Sequence, residues 1–535
     1  MDFKISRPGS NPLVQDYLSG QGRCSEFFPL DWRAEASYAA RAQSLDAEGR
    51  GTDWAEAVST AGPAAQARLD AVIAQGGYVV TTGQQPGLFT GPLYSLWKAL
   101  TAIRLADHLQ EQLGKPVLPL FWVASEDHDW DETNHTWMVG VDNELHRIAL
   151  ENVDGAGDSP LFRLSIAERV DAVLAQAASI LPETEMAAEA LEMLREAYTA
   201  RDGEAVTLGS GFQRILERLV EPLGMAFTQA HDPALKQLSA PVLKAGYRSA
   251  QAVEAAMADR AQALEAAEYP VQVPILEGGV NLFLEADGHR ERLYRVDDGF
   301  VLRHSGAAFS ADQLDEIADT EPGRLSPNVH LRPLVEAAVF PTLAYVAGPG
   351  ELTYYAQLQP FYDTLKVGMP VIYPRFGVTL YEKKVAKVLD KFEIEQSTLA
   401  RPFHEIAQDF ARDEVPDGVR EALGRIRGAI GEGTNALIEA SKEIDPTLKG
   451  PISSARGTAF GAFADAEKNI LKAVKREGEI TLQQIEKARL HLFPEGKPQE
   501  RMLNPVYYLA RYGAQFVRDV AEGMEISLPP SGQND

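Results

Sequence analysis

Between Tyr78 and Ala124 the chain passes from strand period to helix period and back, and this alternation leaves few folds open. Tyr78 to Thr82 (YVVTT) is a β-branched run that ends in the turn-forming Gly83-Gln84-Gln85-Pro86-Gly87. Leu93 to Leu113 then sets Leu93, Trp97, Leu100, Arg104 and Leu105 at helical spacing, and Lys115-Pro116 stops it. Val117 to Ala124 is apolar throughout, the pattern of a strand covered on both faces. Strand, glycine-rich loop, helix and buried strand make a βαβ unit, so the spacing predicts a parallel sheet in an α/β protein.

Other segments fit around that unit. Met225 to Gln229, Leu343 to Val346 and Pro370 to Tyr373 read as further core strands. Residues 34–74 are Ala-rich and read as helical, as does a stretch near 185–200. Val280 to Glu285, Glu291 to Val296 and Phe300 to Arg303 are short strands separated by Asp-Gly turns, which predicts antiparallel hairpins in a small insertion. From about Thr379 the class changes. Val419, Leu423, Ile426, Ile430, Leu437, Ile438 and Ile444 keep a near-heptad pattern, with Gly433 on the same face. After Asp445-Pro446 a second helical stretch, with Ile470, Leu471, Val474 and Ile485, is expected to run to about Leu490. Two long helices around a proline break read as an antiparallel coiled-coil hairpin. The last residues, LPPSGQND, are expected to be unpacked.

Composition narrows the function. A formal net charge of −26 argues against nucleic acid as the main partner, yet it leaves room for a basic pocket. The single cysteine, Cys24, excludes an internal disulfide and a cysteine zinc cluster. The N-terminus has no signal-peptide pattern, and the longest apolar stretch, Pro116 to Ala124, is far short of the roughly 20 residues that span a bilayer. No membrane partner and a cytoplasmic location are the expectations.

Three polar loops follow predicted strands, where α/β sheets bind their ligands. The first runs from Thr82 through Gln84, Gln85, Gly87 and Gly91 to Tyr94, with Lys98 one turn on. Such a loop brings backbone N–H groups to an anion, and paired glutamines can read hydroxyls or a carboxylate; the alternative is a purely structural turn. It is neither a P-loop nor a GxGxxG fingerprint. The second, Ser125-Glu126-Asp127-His128-Asp129-Trp130-Asp131-Glu132-Thr133-Asn134-His135, admits four readings. These are a metal site, a general base with an orienting carboxylate, an ammonium-binding site, and an acidic cap on the next helix. The third joins SPNVHLRP, with Arg332, to AYVAGPGELTYYAQL, with Gly348, Gly350, Glu351, Tyr354 and Gln357. There Glu351 can bind an amine, act as a base or stabilise its helix N-terminus, while Arg332 can clamp a carboxylate or form a surface ion pair. His491-Leu492-Phe493-Pro494, Arg501 and Asn504 read as packing or a second site.

Taken together, TTGQQPGLFTGPLYSLWKA, PLFWVASEDHDWDETNH, SPNVHLRP, AYVAGPGELTYYAQL and HLFPEGKPQERMLN strongly resemble the cysteine-adding (BshC) family of bacillithiol biosynthesis, from about residue 10 to residue 522. The resemblance implies a Rossmann-like core with two connecting-peptide insertions and a C-terminal helical coiled coil that forms a homodimer. Mapped onto this sequence, the core would be 1–150, 211–245 and 326–380, and the insertions 151–210 and 246–325. The coiled-coil hairpin would be 381–500, with 501–535 as a C-terminal helix and tail. The implied reaction joins cysteine to the amine of glucosaminyl-malate as an amide. ATP is the expected activator of the cysteine carboxyl, by adenylation or else by phosphorylation, with Mg²⁺ entering alongside the nucleotide. The architecture is similar to that of class I nucleotidyl-transferring enzymes. The HxGH and KMSKS signatures of that class are not readable here, and glutamines stand where the first would place histidines.

On this reading Asp127, His128 and Glu351 are the catalytic candidates. Substrate binding would fall to Gln84, Gln85, Gly87, Gly91, Tyr94, Lys98, Glu126, Asp129, His135, Arg332, Gly348, Gly350, Tyr354 and Gln357, with no resident metal. Lys98 and Arg332 are the candidates for substrate carboxylates, and Asp127, Asp129 and Glu351 for an ammonium. His128 or an acid would take the proton of the attacking amine. Two other readings compete: a metal-dependent hydrolase or transferase built on Asp127, His128, Asp129 and His135, and a coiled-coil scaffold with a ligand-binding core.

Overall fold

The computed structural model describes residues 1–9, 11–201 and 203–528, so the tail read as unpacked lies outside the described residues beyond Leu528. Strands β1 (Ser59–Thr60), β2 (Tyr78–Gln84), β3 (Val117–Val123), β4 (Ala226–Gln229), β5 (Thr342–Ala347) and β6 (Val371–Pro374) form one sheet in the order β6-β5-β2-β3-β4-β1. All neighbours pair in parallel except the edge strand β1, which runs antiparallel to β4. β2 and β3 stay in register from Tyr78↔Val117 to Gln84↔Val123, and β3 is buried along its whole length. Helix α1 (Tyr94–Leu113) connects them and ends at Gly114, whose φ of 63° gives the left-handed cap that glycine adopts without strain. Helix α2 (Pro349–Leu365) follows β5.

The order of strands places the site. From β2 the chain steps outward to β3 and β4, then returns to the other side of β2 to lay down β5 and β6. The direction of winding therefore reverses between β2 and β5, and a crevice opens at their carboxyl ends.

Residues 34–74 depart from the helical reading. Helices Glu35–Glu48 and Pro63–Gln75 are separated by β1, where Ser59 and Thr60 pair with Phe227 and Ala226. Gly49, at φ 60°, ends the first helix, and Pro63 opens the second. Covering a sheet edge here outweighs the helix preference of the surrounding alanines, which is a weak prior. Downstream, Gly279–Ala286, His289–Val296 and Gly299–Leu302 form a separate antiparallel sheet, which Ala308–Phe309 and Leu325–Pro327 complete at its two edges.

Residues 381–499 make up a second unit, whose secondary structure beyond Tyr381, the end of strand Gly377–Tyr381, is helical. Its small core gathers Val385, Leu399, Ile406, Ile485 and Leu492. Helix α3 (Asp417–Ser441) turns at Asp445, whose carboxylate accepts from Thr447 N at 2.8 Å, into helix α4 (Lys449–Glu477). Arg456 reaches back to Asn435 Oδ1 at 3.0 Å, and Arg427 pairs with Glu467. The second stretch is not one helix to Leu490. It is interrupted at Gly478, before helix α5 (Glu479–Leu492), and a Cβ at that position would lie 2.6 Å from the Phe410 ring.

The link from β2 to α1 is strained and held from outside. Phe89 and Thr90 take φ values of 53° and 77°, the left-handed region that side chains disfavour. Asn504, fully buried, donates through Nδ2 to the carbonyls of Phe89 (2.8 Å) and Gly91 (2.9 Å), and Phe89 N donates to the Tyr198 hydroxyl at 3.1 Å. Gly87 and Gly91 allow the loop to fold onto itself, since a Cβ on Gly87 would sit 2.9 Å from Gly91 Cα. Replacing Asn504 by Ala leaves buried carbonyls without donors. Asn504→Ala should therefore lower the unfolding free energy by about 2–4 kcal/mol, read from denaturant titration; an unchanged midpoint would mean that other contacts hold the loop.

Candidate active site

A cavity of about 530 Å³ fills the crevice, a size in keeping with small-molecule sites. Its floor is the carboxyl end of β2 and β3 (Gly83, Gln84, Gln85, Trp122, Ala124), and one wall is the β5–α2 junction (Gly348 to Glu351). The other wall is the hairpin sheet, which contributes Phe283, Arg290 and Arg292.

Most of the charges in this cavity are already paired within the wall. Lys98 on α1 meets Glu351 at 2.6 Å and also donates to the Gly83 carbonyl. Glu351 accepts from the Tyr345 hydroxyl at 2.5 Å and from Gly348 N at 2.7 Å. Burial pushes the Glu351 carboxyl up, but Lys98, Tyr345 and the Gly348 N–H outweigh it and hold the group below the usual carboxylate range. Arg332 pairs with buried Glu336 at 2.5 Å and leans on Trp122 and Tyr345. Arg375 makes a two-pronged bond to Glu500, at 2.6 and 2.9 Å. Glu126 pairs with Lys236 at 2.5 Å, and burial raises its carboxyl against that pull.

Asp127 is different. Its Oδ2 accepts from Gln85 Nε2 at 2.6 Å, and its Oδ1 accepts the backbone N–H groups of His128 (2.7 Å) and Asp129 (3.2 Å). Among the described residues it is the one cavity carboxylate without a Lys or Arg partner. These three donors orient it without neutralising it.

His128 is not arranged as a base. Arg290 Nη1 lies 3.0 Å from its Nδ1, and a guanidinium can only donate, so Nδ1 is the acceptor and the neutral ring carries its proton on Nε2. Burial and the Arg290 charge both lower the His128 pKa, so the ring stays neutral. Its place in the cavity is as a hydrogen-bond donor through Nε2.

The remaining sequence candidates divide. Gln84, whose Oε1 lies 3.3 Å from Lys98 Nζ, lines the cavity, as do Tyr94, Gly348, Gly350 and Tyr354. Burial pushes the Tyr94 phenol up to about 12. Five others do not line it. Gly87 and Gly91 shape the strained turn, Asp129 is exposed and caps the short helix Trp130–Thr133, and His135 bonds to Asn134 at 3.1 Å. Gln357 clamps Val273 through its N–H and carbonyl, at 3.1 and 2.9 Å. The quartet of the metal reading is thus not assembled, because Asp129 and His135 lie outside the cavity and Arg290 occupies His128 Nδ1. Sequence reasoning missed Phe283, Arg290, Arg292 and Arg375, and it left Arg501 unassigned. A signal existed for the hairpin pair: HRERLYRV puts Arg290 and Arg292 on one face of a strand.

The Lys98–Glu351 pair generates a test. Glu351→Gln leaves a buried ammonium without its counter-charge and should cost about 3–5 kcal/mol of stability. Joint replacement of Lys98 by Met and Glu351 by Leu should recover most of that loss in the same denaturation assay. An additive double variant would show that the two groups are not coupled.

Two family models match the chain: bacillithiol biosynthesis BshC, N-terminal Rossmann-like domain, over residues 1–376, and bacillithiol biosynthesis BshC, C-terminal coiled-coil domain, over residues 378–527. Proteins named "Putative cysteine ligase BshC" from Chlorobaculum tepidum, Salinibacter ruber and Symbiobacterium thermophilum are 32%, 30% and 32% identical to it. These alignments cover 83%, 96% and 95% of this chain and 80%, 94% and 94% of the relatives. Rossmann-like and coiled-coil parts are thus found in the order expected from the sequence, and the chain belongs to the bacillithiol-biosynthesis BshC family.

Proposed function

We propose that this protein is a carbon–nitrogen ligase that joins the carboxyl of cysteine to the amine of glucosaminyl-malate, with ATP activating the carboxyl. The name its relatives carry supports the cysteine ligase reading. The observation that carries the mechanism is Asp127, the oriented and unneutralised carboxylate in a cavity otherwise dominated by cations. An amine that attacks an acyl carbon arrives as an ammonium and must lose a proton. Asp127 attracts the ammonium, and accepts that proton as the C–N bond forms. Where adenylation is the activation, the cysteine carboxylate attacks the α-phosphorus and pyrophosphate leaves. The amine then displaces AMP from the acyl carbon. The glycine-containing N-terminus of α2, at Gly350, suits the nucleotide's phosphates, and Mg²⁺ would enter with them.

The charges that the sequence assigned to substrate carboxylates serve the wall instead. Lys98 and Arg332 are matched by Glu351 and Glu336, so they shape the cavity more than they attract a ligand. Among the described residues no helix is long and apolar enough to cross a membrane. A cytoplasmic location is part of the proposal and suits a chain with a single, buried cysteine.

A homodimer through the helical unit is also proposed. Leu437, Ile444 and Ile480 are 55%, 82% and 74% exposed there, and two of them belong to the near-heptad stripe. Light scattering at micromolar concentration should give twice the chain mass, and Leu437→Glu with Ile444→Glu should halve it; a monomeric wild type refutes the dimer.

The central test is mass spectrometry of the full-length protein with glucosaminyl-malate, cysteine, ATP and Mg²⁺. Amide product with AMP supports the ligase and its adenylate; product with ADP keeps the ligase and makes the intermediate an acyl phosphate. Asp127→Asn should lower kcat by about 10²- to 10⁴-fold with the fold intact. Full activity in that variant would remove Asp127 from the mechanism, and no product from folded wild type would overturn the ligase reading.

A further inference from the structure

The cavity holds more positive than negative side chains. Lys98, Arg332 and Arg375 have carboxylate partners, whereas Arg290, Arg292 and Arg501 have none among the described residues. Arg501 is exposed, and Arg292 is half-buried in the hairpin wall. No hydrogen bond or ion pair of its guanidinium is present among the described residues, and its ring contact is Phe283, 5.0 Å away. The nearby acids are engaged: Glu126 with Lys236 at 2.5 Å, Glu254 with Arg295 at 3.0 Å. Arg290, two residues earlier on the same face, stacks on Phe283 at 3.8 Å and is spent on Ser326 Oγ (2.8 Å), His128 Nδ1 (3.0 Å) and the Pro327 carbonyl (3.3 Å). The strand thus offers one fixed and one unengaged guanidinium side by side. Two adjacent guanidiniums repel, and an anionic ligand beside Arg292 relieves that repulsion.

The surroundings choose the kind of anion. Phosphates favour clusters of backbone N–H groups, and the helix N-terminus that can supply them, at Gly350 in the first turn of α2, lies on the other wall of the cavity. The hairpin wall instead presents Phe283, Val329 and Pro327, apolar surface suited to a carbon skeleton. A guanidinium fork matches a planar carboxylate in two parallel bonds. We propose that Arg292, set beside the fixed Arg290, binds a carboxylate of the acceptor's malyl group and so selects a carboxylate-bearing amine over a neutral amino sugar. This assignment rests on the ligase reading for the identity of the acceptor, and on the cavity alone for the anion site.

The test uses the full-length protein with Arg292→Gln and Arg292→Lys, each checked for an unchanged melting profile. Calorimetric titration with glucosaminyl-malate needs no turnover. Arg292→Gln should weaken binding about tenfold or more, with Arg292→Lys in between, and the dimethyl ester should bind wild type and variant alike. In turnover, the KM for glucosaminyl-malate should rise while those for cysteine and ATP stay within about twofold. Equal losses on acid and ester, or a loss confined to ATP, would overturn the carboxylate assignment. So would undiminished binding by Arg292→Gln. Variant-sensitive binding in a protein that makes no amide would leave the anion site standing and remove the ligase reading.

Discussion

An ammonium and a carboxylate buried 2.6 Å apart tie together the two loops on which the site is built. Lys98 comes from α1 and reaches back to the Gly83 carbonyl at the end of β2. Glu351 comes from the first turn of α2 and holds the Gly348 N–H and the Tyr345 hydroxyl at the end of β5. β2 and β5 are the neighbours between which the sheet reverses its winding, so this ion pair closes the crevice at its base. Such a pair contributes little net stability, because desolvation offsets most of its attraction. Its effect is positional: both partners have further hydrogen bonds, so only one arrangement of the two loops satisfies them all. A ligand then meets a cavity whose walls are already set.

How legible this was depended on the range of the interaction. The βαβ unit could be read because it is local: Val117 to Val123 is apolar in every position that a doubly covered strand requires. Lys98, Glu351, Arg332 and Asp127 could be read as chemistry at strand ends. Their partners could not, because pairing joins residues distant in sequence, such as Lys98 with Glu351 or Arg375 with Glu500. Asp127 and Asp129 look alike in the sequence, yet one lines the cavity and the other accepts Glu132 N as a helix cap. His128 looked like a base until Arg290 arrived from a hairpin that periodicity marks only as a hairpin. The alanines of 34–74 carried a helix preference that sheet-edge pairing at Ser59 and Thr60 overrode.

Net charge and site charge point in opposite directions, and the structure reconciles them. The chain carries 77 acidic against 51 basic side chains, yet six Lys and Arg residues line the cavity beside three carboxylates. Matching Lys98, Arg332 and Arg375 with carboxylates lets those three be buried without unfolding the site. Leaving Arg292 and Asp127 without an ion-pair partner gives the cavity an attractive point for a carboxylate in its hairpin wall and one for an ammonium at the end of β3. An amino sugar bearing an acid carries both groups in a single molecule. The same reasoning explains why Asp127 is held by an amide and by backbone N–H groups: a Lys or Arg at those positions would have cancelled the charge that the ammonium needs.

The last step in building the site comes from residues that lie after the helical unit. The chain leaves the core at Leu380 and re-enters it at Glu500, and Val378 N donates to Glu500 Oε2 at 3.3 Å, so the exit and the return lie side by side in the core. Glu500 neutralises Arg375, Arg501 lines the cavity, and Asn504 holds the strained turn at Phe89. A detour of this length costs only slowly growing loop entropy, and less still when the intervening residues have a core of their own, as Leu399, Ile406 and Ile485 provide. Its consequence is an order of assembly. The first βαβ unit can form from local contacts, but Arg375 has no counter-charge and the glycine loop no clamp until Glu500 and Asn504 arrive. The cavity therefore becomes complete only when the segment beyond the helices has docked, which makes that segment part of the site and not an appendage to it.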